Sequence, residues 1–371
     1  MLSKRTRNSE GVNGANPLAN HLGQGTLFSY VEGDEYKDIM GAWDWNLVPG
    51  TTTLLNNPNL SPATASSLGK TDFVGVVSDG KNGVAAEDYV EPFSASLTYR
   101  KTWFHFDDAV IVTTSNIKGD GKTPVITVLD NRNKAAGGAY VDGKRISTGD
   151  VTTQGSTLFY GGNGYLSYQT PFDLTVSEGD RTGNWSDIST SKVGVVTVPL
   201  FSAYTTIAND SSAYAFFPAT NRHNLAREAK KPTFKPVISD GVSAVLGNDK
   251  LGVVFWPNGP NSITVDLKEL GWAKKGSLTV ESDQPGALFV TSKCKKPGRG
   301  MRLVVNVADP TQKLDSLSVT LTTSSGKMKQ TRKRDDVSVS ESESQVNFSV
   351  SLPSGGMAGS TVSRDVYLLV E

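Results

Sequence analysis

The chain has 371 residues with 37 glycines and 17 prolines, and this length exceeds the ~100–200 residues of an ordinary single domain. Lysine plus arginine equals aspartate plus glutamate at 37 each, so the net charge gives no general attraction to nucleic acid or an anionic membrane. No apolar run approaches the ~20 residues that span a bilayer. We therefore expect two domains with neither a nucleic-acid nor a membrane partner.

Few residues offer reactive chemistry of their own. The single cysteine, Cys294, excludes an intrachain disulfide and a cysteine-based metal site. The histidines His21, His105 and His223 are far apart in sequence, and none adjoins a nucleophile or ligand pattern. No phosphate-binding loop, nucleophile elbow, zinc-hydrolase or dinucleotide motif occurs. The sequence thus predicts no cofactor-dependent reaction.

Short apolar runs between turn signals predict β-strands in the first part of the chain. Residues 96–106 alternate two faces and predict one strand. Residues 110–113 and 125–129 are β-branched runs separated by a Gly-Asp-Gly turn, which predicts an antiparallel hairpin. The pairs Asp79-Gly80 and Asp142-Gly143 repeat this turn signal.

A change of pattern predicts where the first domain ends. Residues 221–230 lack glycine and proline and predict a helix, and Pro232 and Pro236 follow it. We predict a large domain at 1–229, a linker at 230–237 and a smaller domain at 238–371. The smaller domain has regularly spaced strand-like runs typical of an antiparallel sandwich, namely 253–256, 263–267, 288–290, 303–305, 317–321, 346–350 and 366–370.

Two strings near the start carry the strongest signal. Residues 5–14 read RTRNSEGVNG, and residues 43–53 read WDWNLVPGTTT. In this order, followed by matching segments at 69–76, 101–108 and 127–132, they resemble the central β domain of a family 8 polysaccharide lyase. That family contains hyaluronate, chondroitin AC and xanthan lyases. The resemblance covers roughly residues 3–256 and fades afterwards.

The resemblance implies an all-β fold, with a large antiparallel super-sandwich followed by a smaller antiparallel β-sandwich. It also implies β-elimination on an acidic, uronate-containing polysaccharide. In the family the Asn, His and Tyr that carry the chemistry lie on an N-terminal α/α toroid. We expect that toroid to be missing here, so the chain alone should be inactive. An extracellular, secreted location follows, with weak support from sequons at Asn184, Asn209 and Asn347.

The resemblance also assigns roles at the chain start. It implies that Glu10 orients a catalytic group of the toroid and that Asn13 contacts the sugar. Arg5 and Arg7 form a local basic patch that could bind the polyanion, or they are simply solvated. Without the resemblance, a Glu three residues before an Asn more often marks a turn.

The Trp43-Asp44-Trp45 triplet leaves two interpretations open. The flat indoles of Trp43 and Trp45 could stack on sugar rings, or they could brace a loop before the following Pro-Gly turn. Asp44 and Asn46 could donate oxygens to a structural calcium, although two ligands are thin evidence. No other metal site is expected.

Two further function classes stay open beside the lyase. The chain could be a non-catalytic carbohydrate-binding module, or a structural sandwich that shares only its core packing with the family. Residues 204–209 also depart from the His-Gly pair common in relatives, which leaves the substrate open.

Overall fold

The computed structural model describes residues 16–56, 68–296, 300–330 and 339–369. In these ranges nearly all regular structure is β-strand, which confirms the all-β prediction. No helix in the described residues is long and apolar enough to cross a membrane. The first fourteen strands are β1 Thr52–Leu54, β2 Val74–Ser78, β3 Gly83–Val90, β4 Thr98–Phe106, β5 Ala109–Lys118, β6 Val125–Asn133, β7 Tyr140–Val141, β8 Lys144–Arg145, β9 Gly149–Gly155, β10 Thr157–Tyr160, β11 Asn163–Ser167, β12 Phe172–Asn184, β13 Val195–Ile207 and β14 Ser212–Phe217.

Helix α1, Arg222–Lys230, follows these strands, as its sequence predicted, and the Asn221 side chain caps its first turn. The remaining strands are β15 Phe234–Ser239, β16 Val242–Gly247, β17 Lys250–Phe255, β18 Ser262–Asp266, β19 Ser277–Ser282, β20 Gly286–Lys296, β21 Gly300–Ala308, β22 Ser316–Thr323, β23 Lys327–Gln330, β24 Val339–Glu341, β25 Gln345–Ser351 and β26 Val362–Leu369.

The strands form four sheets. Sheet A has the order β1-β6-β13-β12-β9, and sheet B has the order β2-β3-β4-β5-β14-β11-β10-β7-β8. Sheet C runs β15-β16-β17-β20-β21-β26-β23, and sheet D runs β18-β19-β22-β25-β24. The strand pairs whose register is resolved are antiparallel, as in β12 and β13, which pair from Asp173 with Thr206 to Asn184 with Val195.

The described residues group into two compact units that are not consecutive in sequence. The first unit takes the residues up to 72 together with 88–100 and 116–232. The second takes 73–87, 101–115 and the residues from 233 onward. Strand β15 begins inside the segment expected to be a linker, where Pro236 pairs with Val245. Proline fits there because β15 is an edge strand of sheet C. The boundary at 230–237 stays a prediction.

The predicted hairpin between residues 110–113 and 125–129 is wrong. Strand β5 pairs with β4 and β14 in sheet B, whereas β6 pairs with β1 and β13 in sheet A. The turn residues do behave as expected, because Gly121 has a φ of +73° and Asp120 accepts backbone hydrogen bonds from Lys122 and Thr123. The turn therefore carries the chain from one sheet to the other. The Asp79-Gly80 and Asp142-Gly143 signals do close hairpins, β2–β3 and β7–β8.

In the first unit, sheets A and B meet through large side chains. The rings of Tyr160 on β10 and Phe201 on β13 stack with centroids 3.5 Å apart. Both rings are fully buried. Burial of aromatic surface of this size dominates the energetics of such a sandwich core.

In the second unit, sheets C and D enclose a continuous apolar core. Alternation along β18 and β22 sends Ile263, Val265 and Leu317 inward, and Trp272 is completely buried among them. On β17, Gly252 allows close packing, because an added Cβ would lie 2.5 Å from a ring carbon of Phe104. The strand runs predicted after residue 250 are confirmed.

A lysine is buried in the second unit. Lys101 on β4 is fully inaccessible, and its Nζ lies 5.4 Å from the ring centroid of Trp103. Burial lowers the pKa of Lys101 to about 7, while the negative charge of Glu87, also buried, opposes that shift. Folding therefore disfavours the protonated form of this side chain.

We predict that this lysine makes stability rise with pH. The unfolded lysine titrates near 10.5, so between pH 7 and pH 10.5 the unfolded chain binds one more proton at this site than the folded chain. The free energy of unfolding of the wild type minus that of Lys101→Met should thus increase with pH, by up to about 1.4 kcal/mol per pH unit in this window. Denaturant unfolding at pH 7 and pH 9.5 measures the difference.

The matched control is Lys122→Met, at an exposed position. Its stability profile should run parallel to that of the wild type. A parallel profile for Lys101→Met as well would contradict the prediction.

Candidate functional site

Four of the predicted site residues lie outside the described part of the chain. These are Arg5, Arg7, Glu10 and Asn13, all within residues 1–15. Their roles stay predictions. The remaining candidates, Trp43, Trp45 and Asp44, belong to one loop of the first unit.

The two tryptophans are buried and tie that loop down. The Nε1 atom of Trp43 donates to the carbonyl oxygen of Asn131 over 3.1 Å, and that of Trp45 donates to the carbonyl oxygen of Met40 over 3.1 Å. The rings meet edge to face with centroids 5.1 Å apart, and they pack in one apolar cluster with Leu200. Their burial favours the loop-bracing interpretation, and a sugar-stacking role stays a prediction.

The loop lies on the outer face of sheet A, at β12. An added Cβ on Gly183 would come within 2.1 Å of the carbonyl oxygen of Gly41. An added Cβ on Gly41 would in turn meet the indole of Trp185 at 2.8 Å. Only glycine at both positions lets the loop backbone approach the sheet this closely.

Asp44 is exposed at the tip of this loop. Its Oδ1 accepts a hydrogen bond from the backbone nitrogen of Asn46 over 2.9 Å. The Asn131 side chain donates to the carbonyl oxygens of Asp44 and Leu47, which fixes the loop against β6. No group of three or more His, Cys, Asp and Glu side chains suited to a metal occurs among the described residues. A calcium at Asp44 stays a prediction.

Beneath the loop, sheets A and B share a buried charged cluster that the sequence analysis did not single out. Asp130 and Arg132, both on β6, are joined by a hydrogen bond of 2.7 Å from Nε to Oδ1. Tyr165 of β11 donates to Oδ2 of Asp130 over 3.1 Å. Arg132 also donates to the hydroxyl of Tyr36 over 3.4 Å. Both charges are inaccessible to solvent. The only sequence signal was that residues 127–132 match the family string.

The pKa values of the cluster's side chains are those expected of a structural ion pair. Burial alone disfavours a charged guanidinium, but the carboxylate of Asp130 raises the pKa of Arg132 above its ordinary value. Burial raises the pKa of Asp130, and Arg132 opposes that rise. Burial also raises the pKa of Tyr36 and of Tyr165, so both phenols keep their protons at neutral pH. Neither tyrosine is suited to act as a base here.

The histidines lie on separate elements. His21 is buried in a short 3-10 turn, where its Nδ1 lies 2.7 Å from Oε1 of Gln24, and burial lowers the pKa of His21. His105 lies on β4 and His223 on α1. The sequence prediction assigned no catalytic role to them, and their placement gives no reason to add one.

A cavity lined mostly by residues with polar side chains, called the polar cavity below, opens beside the Trp43-Asp44-Trp45 loop. Its volume is about 370 Å³, and its walls combine the loop with the outer face of sheet A. The lining residues are Ala42, Asp44, Leu47, Asn131, Asp150, Thr175, Ser177, Arg181, Leu200, Ser202 and Tyr204. Most of these side chains carry hydrogen-bonding groups. The loop thus contributes a carboxylate to a concave polar surface, while its indoles point into the protein.

We predict that Asp130→Asn destabilises the first unit strongly. The variant leaves the buried guanidinium of Arg132 without its counter-charge, and breaking a buried pair in this way costs about 3–5 kcal/mol. The matched control is Asp365→Asn, which removes the partner of Arg302 in a pair with side chains 45% and 32% exposed. It should cost less than about 1 kcal/mol. Denaturant unfolding measures the free energy of unfolding of both variants. Equal losses of that free energy would contradict the prediction.

The fold and sequence resemble known polysaccharide lyases. Chondroitinase-AC of Pedobacter heparinus is 26% identical over 332 residues, covering 84% of this chain and 43% of that protein. Hyaluronate lyase of Thermasporomyces composti is 27% identical over 294 residues, covering 72% of this chain and 37% of that protein. The solved structure of a Paenibacillus xanthan lyase matches 100% of this chain and 35% of its own with a TM-score of 0.82 at 22% identity, which shows the shared fold.

The chain therefore spans less than half the length of these relatives. The sequence model of polysaccharide lyase family 8, super-sandwich domain, matches residues 1–229, more than half of the chain. This match contains both strings that carried the resemblance, at 5–14 and 43–53. The chain belongs to polysaccharide lyase family 8.

Proposed function

We propose that this chain is the β-domain portion of a lyase that cleaves uronate-containing polysaccharides by β-elimination and forms one wall of the carbohydrate cleft. The observation that carries the proposal is the family match over residues 1–229, which includes the Glu10-x-x-Asn13 element. Relatives named for chondroitin and hyaluronate, both acidic polymers, support this substrate class.

The reaction sets demands that the buried Asp130 cluster and His21 do not meet. The proton at C5 of a uronate is feebly acidic while the neighbouring carboxylate is charged. An enzyme must therefore neutralise that carboxylate, supply a base for the proton and protonate the leaving oxygen at C4. In the first unit, the tyrosines of the Asp130 cluster are buried and hold their protons, and His21 is buried and bonded to Gln24. We propose that an α/α toroid supplies these groups.

In this proposal the chain start supplies the β-side contacts. Glu10 orients a catalytic side chain of the toroid by a charge-assisted hydrogen bond, and Asn13 contacts the sugar. Arg5 and Arg7 attract the polyanion to the cleft. The indoles of Trp43 and Trp45 act mainly by holding their loop in place. The polymeric substrate implies an extracellular, secreted protein.

The test compares this chain alone with a protein that joins it to a family 8 toroid. We expect little or no turnover of hyaluronan, chondroitin or xanthan by the chain alone. In the joined protein, Glu10→Gln and Asn13→Ala should each lower turnover by roughly ten- to a thousandfold, because orienting or transition-state hydrogen bonds are lost. The double variant should lose less than the product of the two effects. The ultraviolet absorbance of the unsaturated uronate product reports turnover.

Glu32→Gln is the matched control, since it removes a carboxylate at an exposed position of the first unit. It should leave turnover and the thermal midpoint unchanged. Rapid turnover by the chain alone would refute the need for a toroid. Wild-type turnover in both single variants would favour the alternative that Glu10 and Asn13 only mark a turn. A joined protein that binds these polymers without cleaving them would favour the carbohydrate-binding module.

A further inference from the structure

The polar cavity has a floor built from one face of sheet A. Along β12 the residues at 175, 177, 179 and 181 point to this face, because side chains alternate along a strand. The register sets Ser177 between Ser202 of β13 and Asp150 of β9. The next row pairs Thr175 with Tyr204. Hydroxyl groups therefore line the floor in two adjacent rows.

The position on β12 between Ser177 and Arg181, which both line the cavity, carries no side chain. Gly179 pairs with Leu200, and a Cβ added to Gly179 would meet nothing within 4 Å. The glycine has no positive φ that would explain its presence, and glycine inside a strand weakens it. A glycine inside a strand often marks a site where a ligand or another backbone approaches closely. The open space at Gly179 extends the floor between Ser177 and Arg181.

The negative charges at the rim of the cavity outnumber the positive ones. Asp44 and Asp150 supply two carboxylates and Arg181 supplies one guanidinium, so one negative charge is left over. Arg181 already contacts Oδ1 of Asp150 at 3.4 Å, and Ser177 donates to the same oxygen over 2.5 Å. Arg181 therefore pairs with Asp150 at the exposed rim, and among the described residues no ion pair joins a cation to Asp44.

The hydrogen-bonding groups favour a ligand that donates. Asn131 donates twice, to the carbonyl oxygens of Asp44 and Leu47, and it is buried, so it supports the loop while Asp44 remains the accessible acceptor. One carboxylate oxygen of Asp44 accepts a hydrogen bond from the backbone nitrogen of Asn46, and the residue is exposed to solvent. Carboxylate and hydroxyl oxygens accept well from sugar hydroxyls, whereas a uronate carboxylate would meet acceptors and a negative charge.

We propose that this cavity binds one neutral, hydroxyl-rich sugar ring, at a site separate from the Glu10-x-x-Asn13 element. Its volume of about 370 Å³ falls within the ≈ 300–1,000 Å³ typical of small-molecule sites. The ring lies over Gly179 with its hydroxyls donating to Asp44 and to the hydroxyl oxygens of the floor, and Tyr204 flanks it. The proposal does not depend on lyase activity, because the ligand is neutral and no bond is broken.

The test is a saturation-transfer NMR titration of the whole chain with two matched pairs of methyl glycosides. Glucoside and glucuronide form one pair, and galactoside and galacturonide form the other, so each pair differs only at C6. We expect saturable binding of at least one neutral member and binding about fivefold or more weaker for its charged partner. Absence of saturable binding by both neutral members overturns the proposal.

Two variants locate the site. Gly179→Val fills the floor and should weaken neutral-sugar binding at least tenfold, with an unchanged or higher thermal midpoint because valine suits a strand. Gly179→Ala should give a smaller loss. Asp44→Asn should reduce the difference in affinity between the charged and neutral glycosides, whereas the exposed control Asp210→Asn should not. Wild-type binding in Gly179→Val, or an unchanged affinity difference between charged and neutral glycosides in Asp44→Asn, overturns the assignment to this cavity.

Discussion

Two charges inside a sandwich can persist only if they compensate each other, and this constraint organises the first unit. Asp130 and Arg132 lie on β6 of sheet A, and neither reaches solvent. Tyr165 reaches Asp130 from β11 of sheet B, and Tyr36 reaches Arg132 from the segment before the Trp43-Asp44-Trp45 loop. Because a buried charge without a partner is so costly, these four side chains hold two sheets and a neighbouring segment in one arrangement.

The outer face of sheet A depends on that arrangement. Asn131, between the two charged residues on β6, points the other way and holds the backbone of the loop at Asp44 and Leu47. The loop then sends its indoles toward Leu200 and leaves Asp44 at the rim of the polar cavity. A single strand thus carries the buried ion pair on one face and the support of the cavity wall on the other.

Family membership and local chemistry inform different parts of the function. The match over residues 1–229 places the chain among polysaccharide lyases, and its share of the relatives' length is below half. In the first unit, Tyr36 and Tyr165 are buried and protonated and His21 contacts Gln24, which suits structure more than proton transfer. The outer face of sheet A in this unit carries an accessible cavity whose lining includes hydroxyls and carboxylates, a surface suited to recognition.

The sequence determined which segments become strands and which residues turn the chain, because alternation and Asp-Gly pairs act locally. It therefore predicted β4, the β2–β3 and β7–β8 hairpins, helix α1 and, in sheets C and D, strands β17, β18, β20, β21, β22, β25 and β26, whereas it expected a linker where β15 begins. Its strings at 5–14 and 43–53 also indicated the family. A period of two reveals an apolar face but does not specify which sheet that face will join. Tertiary structure alone sent β6 to sheet A, turned Trp43 and Trp45 inward, and brought Asp130, Arg132 and Tyr165 together, since these outcomes depend on contacts between residues distant in the chain.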